Sequence, residues 1–78
     1  MANRFVYKPW ATFTNQKGEY ITEEFDTYAK LRSSMRRMLG ESINGEVCVT
    51  RTRRGEWGQY FEVWQWRGKP IKTKETWL

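Results

Sequence analysis

Apolar and polar residues alternate along "RFVYKPWATFTN", and the stretch is rich in β-formers, so a strand is expected over about residues 4–14. Pro9 has no N–H to give to a ladder, which places this strand at a sheet edge or puts a bulge there. "NQKG" (15–18) reads as a short loop in which Gly18 can take a positive φ, leading into a second strand, "EYITEEF", and so a hairpin.

The period then changes. In "DTYAKLRSSMRRMLG" the residues Tyr28, Leu31, Met35, Met38 and Leu39 recur at helical spacing and form one apolar stripe. Asp26 or Thr27 can cap the N-terminus, and Gly40 suits the C-terminal turn. Lys30 and Arg37 point away from the stripe, while Arg32 and Arg36 flank it on one side. "ESING" returns the chain, and "EVCVTRTRR", "QYFEVWQW" and "IKTKETW" read as three further strands, separated by "GEWG" and "RGKP". The predicted order is ββαβββ, an α+β fold of one antiparallel sheet with one helix packed on one face.

A helix covers one face only, so each strand must be divided. Period two separates Phe61 and Val63 from Tyr60, Glu62, Trp64 and Trp66. If Val47 and Val49 join Phe61 and Val63 under the helix, the uncovered face collects Tyr60, Trp64 and Trp66 with Thr50, Thr52, Lys72 and Lys74. In the reversed register the indoles lie beneath the helix. A third arrangement folds the first strand across the sheet and covers them with Phe5, Tyr7 or Trp10.

The chain of 78 residues suffices for one domain, which must hold a compact core. Thirteen aromatic residues help, because each ring buries a large area. The single cysteine, Cys48, precludes an internal disulfide and suits a reducing compartment. No stretch has the length of a membrane span, and "MANRFVYKPW" lacks the apolar core of a signal peptide, so a cytoplasmic protein is expected.

Net charge is +5, unevenly distributed. Residues 1–26 hold three cations against four anions; residues 27–78 hold eleven against five. One basic side is expected, attractive to phosphate or to an acidic protein surface.

Catalytic chemistry finds little to work with. There is no histidine, and one cysteine cannot build a Cys-rich zinc site. Glu23 and Glu24 are neighbours on a strand and point to opposite faces, a poor acid–base pair. No Gly-rich phosphate loop is present. The expectation is a protein that is not an enzyme and needs no metal or cofactor.

Two binding functions remain. For nucleic acid, "RTRR" supplies Arg51, Arg53 and Arg54, and "RGKPIKTK" supplies Arg67, Lys72 and Lys74, for phosphate neutralisation. Tyr60, Trp64 and Trp66 would stack on unpaired bases, or a basic hairpin would enter a duplex groove. Arg36 and Arg37 make a second basic patch on the helix. For a protein partner, five Trp and eight Arg are the residue types that anchor interfaces, with Trp57 at a loop tip. An uncovered aromatic face could also pair with its own copy, so monomer and homodimer are both open.

The organisation carried by "EEFDTYAKLRSSMRRMLG", followed by "EVCVTRTRR" and "YFEVWQWRG", resembles small proteins encoded by phages and mobile elements, among them some anti-CRISPR and other host-takeover proteins. The resemblance covers the chain as an organisation, without a diagnostic motif. It implies a stoichiometric inhibitor that binds a host protein or a nucleic-acid-handling complex in the host cytoplasm.

Overall fold

The computed structural model describes residues 8–52 and 59–77. Phe5, Tyr7, Arg53, Arg54 and Trp57 lie outside the described residues. Five strands form one antiparallel sheet: β1 (Trp10–Thr14), β2 (Tyr20–Glu24), β3 (Glu46–Thr52), β4 (Gln59–Trp66) and β5 (Pro70–Trp77). Their spatial order is β2-β1-β3-β4-β5. Two short helices, α1 (Tyr28–Ser33) and α2 (Met35–Glu41), stand between β2 and β3 in the chain. The α+β architecture matches the sequence pattern, with two helices in place of one.

The break falls at Ser34, whose φ and ψ are −93° and −3°. The Ser33 hydroxyl donates to the Lys30 carbonyl at 2.9 Å, competing with the helix ladder one turn back. Adjacent serines at this point favour a bend, which lets each half lay its apolar side on the twisted sheet. Leu31, Met35, Met38 and Leu39 are buried, as the stripe requires. Thr27 is the N-cap, its side chain accepting the Lys30 N–H at 3.2 Å. Gly40 does not end the helix; α2 continues to Glu41 and Ser42 caps it.

Pro9 precedes the ladder, so it constrains nothing inside it. Strand β1 begins at Trp10 and is interior, paired with β2 on one side and β3 on the other. The edge or bulge expected from Pro9 is therefore not found. The β1–β2 turn is as expected: Gly18 has φ +80°, and Asn15 Oδ1 accepts from the N–H groups of Lys17 and Glu19. At the far side of the sheet, Gly68 (φ +75°) turns β4 into β5.

The register of β4 reverses the expected face assignment. Val47 pairs with Trp64, Val49 with Glu62 and Arg51 with Tyr60, so these six residues share the helix side. Phe61 and Val63 pair with Thr50 and Cys48 on the uncovered side. Val47 and Val49 lie under the helices as expected, but their partners are Tyr60 and Trp64, which are 4% and 8% exposed.

The buried Glu62 makes this register possible. Its carboxylate lies 2.6–2.7 Å from the Tyr28 hydroxyl, 2.7 Å from the Tyr60 hydroxyl and 2.8 Å from the Trp64 indole nitrogen, all three donating. Lys72 Nζ approaches it to 3.7 Å. A lone buried carboxylate would be prohibitive; one that accepts from several donors beside a cation is tolerated. The Tyr and Trp rings fill the core while their polar tips serve Glu62.

Candidate functional site

The reversed register rearranges the expected site residues. Tyr60 and Trp64 are buried under the helices and are not available to stack on a ligand. Trp66, one further alternation along β4, is on the helix side too, but stands past the core with 44% of its surface exposed. The uncovered face thus holds none of the three rings proposed for it.

Arg51 also turns inward. Its guanidinium lies 3.9 Å from the centroid of the Tyr28 ring, and burial lowers its pKa. Lys72 and Lys74 are on opposite faces, because a β-bulge interrupts the pairing between Val63 and Trp64. Val63 pairs with Lys74 and its neighbour Trp64 with Lys72, so the extra residue on β5 breaks the period of two. Lys72 turns to the helix side, where it meets Glu62 and forms an ion pair with Glu75. Lys74 is exposed on the other face. Arg67, at the β4–β5 turn, donates to Gln65 Oε1 at 3.0 Å.

Arg36 and Arg37 do not make one patch. Arg37 is bound into an acidic cluster, 2.8 Å from Glu23 and 3.1 Å from Glu41, and its hydrogen bond to Glu23 raises its pKa. Arg36 points the other way, toward β4 and β5. Its guanidinium sits over the Trp66 ring, 5.2 Å from the centroid.

Here a different set of residues converges. Arg32 from α1, Arg36 from α2 and Lys69 from the β4–β5 turn line a groove of about 530 Å³, with Trp64 and Pro70 in its wall. The i,i+4 spacing of the two arginines sets them side by side on the helix flank, as the sequence indicated. No acidic side chain lines the groove, and no acidic group among the described residues pairs with its three cations. The acidic groups that neutralise neighbouring cations are instead Asp26, shared by Lys8 and Lys30, and Glu23 with Glu41 on Arg37. Arg32, Arg36 and Lys69 thus bring to one groove three cations without an acidic partner among the described residues.

Immediately beyond Arg36 a smaller hollow of about 240 Å³ is lined by Arg36, Leu39, Gly40, Gly45 and Trp66. Gly45 has φ +67°, and its carbonyl accepts the Trp66 N–H at 3.1 Å, which ties the loop after α2 to the end of β4. Lys69, Arg32 and this hollow were not singled out from the sequence as a unit. The signal available was the Arg32–Arg36 spacing; the approach of the β4–β5 turn is a long-range contact.

The chemistry open to the groove is anion binding. Two guanidinium groups and an ammonium offer many N–H donors to phosphate or carboxylate oxygens. Among the described residues no group of three or more His, Cys, Asp or Glu could hold a metal ion. Cys48 is half-buried on the uncovered face, and its thiol is pushed up by burial, with Glu46 adding to the effect. Among the described residues no helix is long and apolar enough to cross a membrane. Comparison of the chain with protein-family models, with curated proteins and with solved structures finds no match.

Proposed function

We propose that this protein is a non-enzymatic binding module that takes nucleic acid in the basic groove between its helices and the β4–β5 hairpin. The observation that carries this reading is the convergence of Arg32, Arg36 and Lys69 on one groove without an acidic neighbour, beside the exposed ring of Trp66. Three cations at the surface of a groove neutralise backbone phosphates; an adjacent exposed indole suits base stacking. The site differs from the sheet face expected from sequence, since Tyr60 and Trp64 serve the core. The test is fluorescence anisotropy with end-labelled single- and double-stranded oligonucleotides at two salt concentrations. Binding that weakens steeply with salt supports the reading, and absence of binding at low salt overturns it.

A second reading has its own support. The uncovered sheet face carries Trp10, Phe61, Val63, Cys48 and Ile71, all half-buried, among Thr12, Thr50 and Thr76. An apolar face with so few charges suits a protein partner better than a polyanion. Under this reading the chain is a stoichiometric inhibitor of a host protein, of the kind phages and mobile elements encode. Phe61→Asp would then abolish the inhibited partner's capture while leaving oligonucleotide affinity unchanged. Light scattering separates self-pairing through this face from a foreign partner.

A further inference from the structure

We infer that the hollow between Arg36 and Trp66 is a seat for one unpaired nucleobase, making the ligand of the neighbouring groove single-stranded. This inference rests on the groove reading above and adds to it the kind of strand bound. The hollow has two unlike walls and a nearly bare floor. One wall is the exposed indole of Trp66, the other the guanidinium of Arg36. The floor is Leu39 with two glycines, Gly40 and Gly45, which bring no side chains into the space. Its volume of about 240 Å³ lies below the ~300–1,000 Å³ of sites for whole drug-sized ligands, a size that suits one ring system.

The two walls are now 5.2 Å apart, measured from guanidinium carbon to ring centroid. A planar ring in van der Waals contact with both requires a separation of about 7 Å, twice the ~3.5 Å contact distance. The long exposed stem of Arg36 can swing that far, while the Trp66 backbone is held in β4, its N–H donating to the Gly45 carbonyl. Arg36 also lines the phosphate groove, and a guanidinium stacks through its face while donating hydrogen bonds through its edge. One arginine can therefore hold a base and the adjoining phosphate together. In a duplex the bases are already stacked on each other and present no free face, so the seat selects an unpaired strand.

Gly40 offers a clean way to close the seat. It lies within α2, its φ is not positive, and a Cβ added there meets nothing within 4 Å. Leucine at this exposed helical position is compatible with the helix and projects into the hollow. The experiment compares three labelled probes by anisotropy at low salt: oligo-dT, an abasic strand of the same length, and a duplex. Wild type is expected to bind oligo-dT roughly tenfold or more tightly than the abasic strand, and Gly40→Leu and Trp66→Ala to remove that preference while still binding the abasic strand. Gly40→Leu is checked for an unchanged circular dichroism spectrum and melting temperature no lower than wild type. Equal binding of oligo-dT and the abasic strand by wild type overturns the base seat and leaves the phosphate groove standing. Failure to bind any of the three probes overturns both.

Discussion

The guanidinium of Arg36 stands over the Trp66 indole, 5.2 Å from its centroid, and this contact joins helix α2 to the end of strand β4 at the boundary between the basic groove and the smaller hollow. Neither residue belongs to the core. Both are exposed, and both stand on elements anchored by buried side chains, Met35, Met38 and Leu39 in α2 and Tyr60, Glu62 and Trp64 in β4. The frame thus presents both side chains at the surface.

If Arg32, Arg36 and Lys69 each neutralise one phosphate of a single strand, the plot of log affinity against log salt has a slope of about −2, or about 0.7 per contact. Arg36→Gln is expected to make that slope shallower by about one contact's worth. Substituting Arg37, which is occupied by Glu23 and Glu41, is expected to leave it nearly unchanged. Anisotropy titrations over a salt series measure both.

The polar cluster around Glu62 makes a stability prediction. Glu62→Leu leaves the Tyr28 hydroxyl and the Trp64 N–H without their acceptor, while Tyr60 keeps Glu75 as a neighbour. Unsatisfied buried donors cost about 1–3 kcal/mol each, so a loss of about 2 kcal/mol or more is expected. Glu62→Gln keeps one oxygen acceptor and should lose less. Urea denaturation with an unchanged m-value distinguishes lost stability from a changed unfolded state.

How much of this was legible in the residues alone can be argued from the same cluster. Helical spacing from Tyr28 to Leu39 and the alternation in β3 and β4 placed the elements, because those are local periodicities. The face of β4 was not legible, since a reading that treats Glu62 as an outward charge puts Phe61 inside. The donors that reverse this arrive from Tyr28 on α1 and from Tyr60 and Trp64 on the same strand. Lys72 and Lys74 were separated by a bulge that leaves no mark in the sequence. The Arg32–Arg36 pair was legible, while the arrival of Lys69 beside it depends on where the β4–β5 turn at the sheet edge meets the helices.

The same tyrosines set an alkaline limit on stability. Burial, followed by contact with the Glu62 carboxylate, raises the pKa of Tyr28 and Tyr60 far above 10, the ordinary value. The folded state therefore holds these protons more tightly than the unfolded chain. Their contribution is fully present below pH 10 and declines as pH rises beyond it, where the unfolded tyrosines ionise. Melting temperatures between pH 8 and pH 11 (on the order of the tyrosine range) should fall more steeply for wild type than for Tyr28→Phe, which lacks one of the two groups.

Thr27 anchors the start of α1, the helix that carries Arg32. Thr27→Ala removes the acceptor for the Lys30 N–H and is expected to cost about 1 kcal/mol. Thr27→Ser restores the acceptor and most of that loss. Thermal denaturation of the two variants beside wild type checks the assignment.

Charge reversal across the two faces of the sheet tests the location of the binding site most directly. Labelled oligo-dT is titrated at low salt against wild type, the Arg36→Glu/Lys69→Glu double variant, and Lys74→Glu, whose residue is exposed on the uncovered face. The groove reading predicts that the double variant loses at least about tenfold in affinity while Lys74→Glu loses no more than about threefold. Equal losses at the two places, or a larger loss with Lys74→Glu, would contradict it.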